Sequence, residues 1–423
     1  MNELLLSFFG DDFTGSTDAM ESLARTGVRT VLFTAPPTAE QFAKYDGLGA
    51  FGVAGTTRAM TPEAMERALR PAFAAMRELK PPIVHYKVCS TFDSSPTIGS
   101  IGRAIDVGAE VFGASFVPVV AGAPALGRHC VFGNLFARSG PESEPFRLDR
   151  HPSMSRHPTT PMDEADLRLH LAKQTTRPIA LLDVLALESP DPEHRFHCLA
   201  AAGAQVVVID LLLERQLATV GRLIDGTPFI VGSSGVEAAL AAHWEATGMI
   251  PGRHAFAPAA SSGPIVALCG SCSPVTAAQI RQAIANGFEE AANLASATDV
   301  AIRALRSGQS VVVHTGAGET DKHLSGAALA EIGPRLGTIL RDVLDATKIR
   351  RVVVAGGDTS GQVASALGIE SMEMSAELTR GAPLCRVSAP NSPADGVEFV
   401  FKGGQIGKVD FFHQVEQGRR DEH

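Results

Sequence analysis

The chain predicts an α/β protein of two domains with mainly parallel sheets, and three features of its 423 residues carry that prediction. Short β-branched apolar runs alternate with helical patterns along most of the chain, as in proteins assembled from βαβ units. Several of those runs end in Gly-, Ser- or Asp-rich turns that open the next helix, where open α/β sheets place their sites. One stretch, Gly252 to Gly263 (GRHAFAPAASSG), mixes Pro, Ala, Ser and Gly without periodicity and reads as a linker. The expected organisation is residues 1–250 as a first domain, 251–263 as linker and 264–423 as a second domain.

Leu4 to Phe9 is the first apolar run and ends at Gly10-Asp11-Asp12-Phe13-Thr14-Gly15-Ser16. Ala19, Leu23 and Ala24 mark a helix that stops near Gly27, and Thr30 to Phe33 follows as a second strand, completing a βαβ unit. Asp11 and Asp12 thus stand at a strand end, where a carboxylate takes a proton from a hydroxyl or holds a cation. Acids in that place also cap helices. Gly47 to Val53 is the third strand and runs into Thr56-Thr57-Arg58. An arginine there can clamp a carboxylate in bidentate fashion, the alternative being a surface ion pair. Pro62 to Leu79 is an amphipathic helix with Met65, Leu69, Phe73 and Met76 in phase.

The strand Ile83 to Tyr86 feeds Lys87-Val88-Cys89-Ser90-Thr91-Phe92-Asp93-Ser94-Ser95, then a helix around Ile98 to Ile105. A cation, an acid and several hydroxyls at one strand end suit a polyhydroxylated anion, although a Ser-rich turn has the same composition. Phe116 to Val120 continues the sheet, and His129 to Phe136 reads as a short strand or hairpin. Ser139 to Pro161 is too irregular to assign, and His151, His157 and His170 share no helix-face spacing for a metal. Asp163 to Lys173 and Arg215 to Ile224 are helical; Ile179 to Leu182, Gln205 to Asp210 and Phe229 to Val231 are strands. The last runs into Gly232-Ser233-Ser234-Gly235 and the helix Val236 to Ala246.

Beyond the linker, Ile265 to Leu268 leads through Gly270-Ser271-Cys272-Ser273 to a helix at Pro274, with Ser273 a natural N-cap. Ser310 to Thr315 ends in Gly316-Ala317-Gly318, and Leu336, Ile339, Leu340, Val343 and Leu344 form a helical core stripe. Val352 to Val354 breaks into Gly356-Gly357-Asp358-Thr359-Ser360-Gly361 and a helix carrying Val363, Ala366 and Leu367. Such a junction aims backbone N–H groups and the positive end of a helix dipole at an anion, phosphate being the obvious one. Leu384 to Val387 and Phe399 to Phe401 are closing strands, the latter followed by Lys402-Gly403-Gly404-Gln405-Ile406-Gly407.

Composition narrows the function. A net charge of −9 with no Lys/Arg run argues against nucleic acid as a partner. No basic signal-peptide region and no run approaching the roughly 18 apolar residues of a membrane span is present, so a cytoplasmic location is expected. Six cysteines in a chain of this length read as free thiols, and the Cys269–Cys272 pair lacks the further ligands of a zinc site. Neither the P-loop nor a complete G-x-G-x-x-G follows a strand, which also makes a nicotinamide-dependent dehydrogenase a poor fit.

Six motifs in order, G-D-D-F-T-G, Y-K-V-C-S-T-F-D-S-S, G-S-S-G, G-S-C-S-P-V-T, A-G-G-D-T-S-G and F-K-G-G-Q-I-G, make the chain resemble the four-carbon acid sugar kinases, a family long catalogued as a domain of unknown function. The resemblance spans nearly the whole chain. It implies an N-terminal domain for the acid sugar, a C-terminal domain for ATP, and reaction in the cleft between them. The acceptors it implies are threonate, erythronate or 3-oxo-tetronates, phosphorylated on a terminal hydroxyl. Many relatives carry K-x-D-S-T-L-R-G where this chain has Lys87 to Ser94 as K-V-C-S-T-F-D-S. That departure leaves an oxidised or branched acid sugar, such as 3-oxo-isoapionate, open.

Carried over residue by residue, the resemblance puts Asp11, Asp12, Arg58, Lys87, Ser90, Thr91, Asp93 and Ser94 on the acid sugar. It puts Ser271, Ser273, Gly356, Gly357, Asp358, Thr359, Ser360, Gly403, Gly404 and Gln405 on the nucleotide. Asp12 is the expected acceptor-side base, with Asp358 next in line, and Lys87 and Arg58 face the substrate carboxylate or hydroxyls. Mg²⁺ is expected on the phosphate oxygens, with Asp358 or Asp11 as its protein ligand. A homodimer is the default assembly. A non-catalytic sensor of nucleotide and metabolite is the other class of reading; it would bind both without forming ADP.

Overall fold

A computed structural model describes residues 4–140, 143–271, 273–315 and 326–421. Cys272 and the turn Gly316-Ala317-Gly318 lie outside the described residues. The chain forms two compact units, one of residues 1–30 and 35–254, the other of residues 31–34 and 255–423.

The strands in chain order begin with β1 (Leu6–Gly10), β2 (Thr30–Phe33), β3 (Ala50–Ala54), β4 (Val84–Lys87) and β5 (Val117–Val120). A small antiparallel sheet follows, β6 (Arg128–Val131), β7 (Asn134–Arg138) and β8 (Pro145–Arg147), and then β9 (Ile179–Leu182), β10 (Val206–Ile209) and β11 (Phe229–Gly232). The first unit is organised around the order β3-β1-β4-β11-β5-β10-β9, in which every neighbouring pair is parallel. Their near-continuous apolar sequences suit strands covered on both faces. Because β1 lies between β3 and β4, the segments after all three emerge at one sheet edge.

The second unit contains β12 (Val266–Cys269), β13 (Glu289–Ala291), β14 (Val311–His314), β15 (Arg351–Ala355), β16 (Ser371–Thr379), β17 (Ala382–Ser388) and β18 (Glu398–Lys402). Its sheet runs β13-β14-β12-β15-β18 in parallel and continues through β17 and β16 to β2 with antiparallel pairing. β2 occupies the residues the sequence predicts, and on one side it borders β16. Val31, Leu32 and Phe33 pair antiparallel with Glu373, Met372 and Ser371.

Some expectations shift. The helix expected over Asp163 to Lys173 contracts to Leu167–Ala172, because the Asp166 carboxylate accepts from Arg168 N at 3.0 Å and sets the helix start. Ser139 to Pro161 contains β8 and the single turns Leu148–Arg150 and Met154–Arg156. β16 has no counterpart in the sequence reading, since its Glu373, Glu377, Met372 and Met374 are helix formers that mask a strand. Among the described residues no helix is long and apolar enough to cross a membrane.

Candidate active site

At the C-terminal edge of the first sheet, backbone bonds hold three loops together. Asp11 N donates to Lys87 O at 2.9 Å, Arg58 N to Asp11 O at 3.0 Å, and Gly55 N to Gly10 O at 2.9 Å. The side chains then pair. Arg58 clamps Asp11 in bidentate fashion, Nε to Oδ2 at 3.0 Å and Nη2 to Oδ1 at 2.6 Å, and Nη2 also reaches Asp12 Oδ1 at 3.0 Å. Burial works against the Arg58 charge, but Asp11 and Asp12 outweigh it and hold the guanidinium well above its ordinary pKa. Burial raises the Asp11 carboxyl, and Arg58 opposes that rise without reversing it.

Asp12 is both a cap and a strand-end acid. Its Oδ1 accepts from Gly15 N at 2.8 Å and its Oδ2 from Thr14 Oγ1 at 2.9 Å, which starts the helix Phe13–Arg25. A side chain at Gly15 would put its Cβ 2.4 Å from Asp12 Oδ1, so the glycine is what lets the cap form. Asp11, expected beside Asp12 as a catalytic carboxylate or metal ligand, is 3% exposed with both oxygens on Arg58. Both of its oxygens are taken up in orienting Arg58. Arg58, expected on the substrate, keeps Nη1 as the nitrogen without a hydrogen bond to a described residue.

Lys87 is buried, with Nζ donating to Val88 O at 3.3 Å and lying 3.7 Å from Asp18 Oδ2. Burial lowers its pKa, but Asp18, Glu237 and Asp11 outweigh that and leave the amine above its usual value. Behind it His85 Nδ1 stands 3.1 Å from Glu237 Oε1, both side chains fully buried, while His85 Nε2 faces Gly232 O at 3.1 Å. Burial pushes the Glu237 carboxyl up, yet His85 and Lys87 bring it below its ordinary value. Sequence reasoning missed Asp18, His85 and Glu237. The string Ser234-Gly235-Val236-Glu237 has capping-box spacing, but the Ser234 hydroxyl bonds Asp18 and caps nothing.

The loop after β4 divides. Cys89 Sγ meets Thr91 Oγ1 at 2.9 Å, and Thr91 donates to Asp93, so these side chains order one another beside the Arg58 cluster. Ser90 is half-buried in the same turn. Ser94, expected on the substrate, is turned the other way: its Oγ lies 2.7 Å from His170 Nε2 and accepts from Gln174 Nε2 at 3.1 Å. It is 1% exposed, and burial takes His170 down to about 4, so the pair is a neutral core contact.

In the second unit the parallel neighbours β12, β15 and β18 release three turns at one edge. A Cβ on Gly404 would lie 2.4 Å from Ser271 Oγ, one on Gly270 2.3 Å from Thr359 Oγ1, and one on Gly356 3.4 Å from Ser271 N. The structure therefore brings Ser271, Gly356, Thr359 and Gly404 together. Gly356 has φ +128°, a region that L side chains rarely adopt, as it opens the helix Gly357–Leu367. No side chain caps that helix start, so its N–H groups stand available to an anion.

Ser273 caps the helix Pro274–Ala285 through Val275 N at 3.2 Å. Ser360, expected on the nucleotide, instead donates to Gly356 O at 2.7 Å and is fully buried. Gly357 and Gly403 are partly exposed, and Asp358 and Gln405 are exposed at the mouth of their turns. Thr276 and Lys402, which the sequence motifs include but to which no role was given, stand behind the turns, Nζ to Oγ1 at 3.1 Å. Among the described residues no group of three or more His, Cys, Asp or Glu could hold a metal ion. Asp358 is the exposed carboxylate at the turn after β15.

Comparison with known proteins is consistent from end to end. A family model described as a sugar-binding N-terminal domain matches residues 6–240, and one described as a nucleotide-binding C-terminal domain matches residues 266–412. A 3-oxo-isoapionate kinase of Paraburkholderia graminis is 45% identical, covering 98% of this chain and 95% of its own length. A 3-oxo-tetronate kinase of Pseudomonas savastanoi pv. phaseolicola is 31% identical, covering 96% of each. Among solved structures, a Salmonella typhimurium protein provisionally described as a tRNA synthase superposes with a TM-score of 0.82 at 24% identity, covering 99% of this chain and 100% of that one. A Haemophilus influenzae protein gives 0.74 at 22% identity, covering 97% and 99%. These structural likenesses establish the fold.

Proposed function

Because the chain belongs to the four-carbon acid sugar kinase family, we propose that its first unit holds a branched 3-oxo acid sugar of the 3-oxo-isoapionate type and its second unit holds ATP. The protein is a sugar-acid kinase that uses ATP. The single observation that carries the choice of acceptor is the 45% identity to a 3-oxo-isoapionate kinase, against 31% to a 3-oxo-tetronate kinase. The altered Cys89 to Ser94 loop favours the same choice, and the 3-oxo-tetronates are the second reading.

In this assignment Arg58 Nη1 and the Lys87 amine meet the carboxylate and hydroxyls of the acid sugar. Asp12 Oδ2 takes the proton of the reacting terminal hydroxyl. The hydroxyl oxygen bonds to the γ-phosphorus as the bond to the β-phosphate bridging oxygen breaks, and ADP leaves. Such a transfer depends on in-line positioning and charge neutralisation. Asp11 fixes Arg58, and Arg58 fixes Asp12, so the acceptor meets a rigid pair of opposite charges. Backbone N–H groups of Gly356 to Thr359, with Ser271, Ser273 and the Gly403 to Gln405 turn, receive the phosphates. Asp358 would hold Mg²⁺ bound to those phosphates, and the ion would supply neutralisation of their charge.

The test is ADP release from ATP and Mg²⁺ across a panel of threonate, erythronate, 3-oxo-tetronates and 3-oxo-isoapionate. The expected result is a kcat/KM at least tenfold higher on the branched 3-oxo acid. A higher value on a 3-oxo-tetronate would reassign the acceptor, and ATP binding without turnover on any member would reinstate the sensor reading.

A further inference from the structure

Lys402 ends β18 fully buried, and no step above uses it. Its amine has one hydrogen bond to a described residue, Thr276 Oγ1 at 3.1 Å, and lies 5.7 Å from the centre of the Phe411 ring. An ammonium carries three donors, so two N–H groups meet no described acceptor. Thr276 passes the contact on by donating to Gly404 O at 2.9 Å. The Lys402 carbonyl works in the other direction, accepting from Gly356 N at 2.9 Å. Lys402 thereby ties the turn after β18 to the turn after β15, and both abut Ser271 in the turn after β12.

We propose that Lys402 is a nucleotide-linked positioning residue: its buried amine sets Thr276 and the Gly404 turn for a nucleotide polyphosphate and takes up a proton when that polyanion binds. The inference rests on the assignment of the nucleotide to these turns. Burial brings the Lys402 amine down to about 8. The titratable group facing it is the Cys269 thiol of β12, itself pushed by burial up to about 12 and so neutral below that pH. The helix Pro274–Ala285 offers Thr276, the helix Phe411–Gln417 offers the Phe411 ring, and β15 offers Ala355, none of them charged. No carboxylate of the described residues pairs with the amine. A bound polyphosphate supplies the missing negative charge and favours the protonated form. Since free protein loses this proton as pH rises through about 8 while the complex keeps it, affinity must fall over that range.

The experiment is calorimetric titration of ADP at pH 7 and pH 9, and at pH 8.5 in two buffers of different ionisation enthalpy. For wild type the expected result is uptake of part of a proton at pH 8.5 and a Kd about tenfold weaker at pH 9 than at pH 7. Lys402→Met should bind ADP about tenfold more weakly at pH 7, with a flat pH profile and no proton uptake; Lys402→Arg should restore affinity without restoring the slope. Thr276→Val, should Lys402→Met fail to fold, should weaken ADP several-fold while proton uptake persists. A flat wild-type profile without proton exchange, or a slope that survives in Lys402→Met, overturns the proposal. No ADP binding by wild type at either pH would overturn the nucleotide assignment itself, and this inference with it.

Discussion

The loops after β1, β3 and β4 present ions that are already paired, whereas the turns after β12, β15 and β18 present bare backbone. In the first cluster Arg58 is held by two aspartates and Lys87 by Asp18. A cation waiting for a substrate in an apolar interior needs a counter-charge meanwhile. In the second cluster glycines let the turns approach and leave N–H groups free at a helix start. The difference predicts distinct weaknesses: the first cluster should fail when a paired charge is removed, the glycine turns when volume is added.

Asp12→Asn is the sharpest way to press on that contrast. Asparagine still caps a helix, so the fold should hold while kcat falls by about 10²- to 10⁴-fold, the usual worth of a general base. Steady-state kinetics beside ADP calorimetry checks it, and the ADP Kd should stay within about threefold. If turnover survives, Asp358 becomes the base to test. Gly404→Ala comes next. Its methyl would lie 2.4 Å from Ser271 Oγ, and overpacking of about 1–3 kcal/mol should weaken ADP by roughly 5- to 100-fold. Unchanged ADP affinity would mean that the turn does not contact nucleotide.

Arg58→Lys keeps the charge and loses the fork. It should raise KM for the acid sugar about tenfold with ADP affinity unaltered, since a lysine cannot clamp Asp11 in bidentate fashion. The smallest effect belongs to Ser94→Ala. Its hydroxyl faces His170 and Gln174, so thermal unfolding should register a loss of about 1 kcal/mol while kcat and KM stay within about twofold. A large rise in KM would return Ser94 to the substrate.

Much of this arrangement was legible because it follows from local pattern. Valine runs broken by Gly/Ser turns mark β15 and its helix, and the Asp11-Asp12 pair after an apolar run marks the first strand end. What could not be read depends on pairing between distant segments. β2 is a good strand by composition, but its antiparallel partner β16 lies more than 300 residues away and is disguised by helix-forming Glu and Met residues. Lys402 looks like any strand terminus until Thr276 and Phe411 close over it. Ser94 and Ser360 sit in the expected turns, and only the backbone trajectory decides that their hydroxyls point inward. At Asp12, where composition offered capping and chemistry as alternatives, the carboxylate caps the helix and also reaches Arg58.

The most direct test of the division of labour between the units is a crossed pair of calorimetric titrations, ADP into Asp12→Asn and the acid sugar into Gly404→Ala. The account predicts wild-type affinity, within about threefold, in both. Loss of ADP affinity in Asp12→Asn as large as in Gly404→Ala itself would contradict it, because the nucleotide would then depend on the first unit's charges.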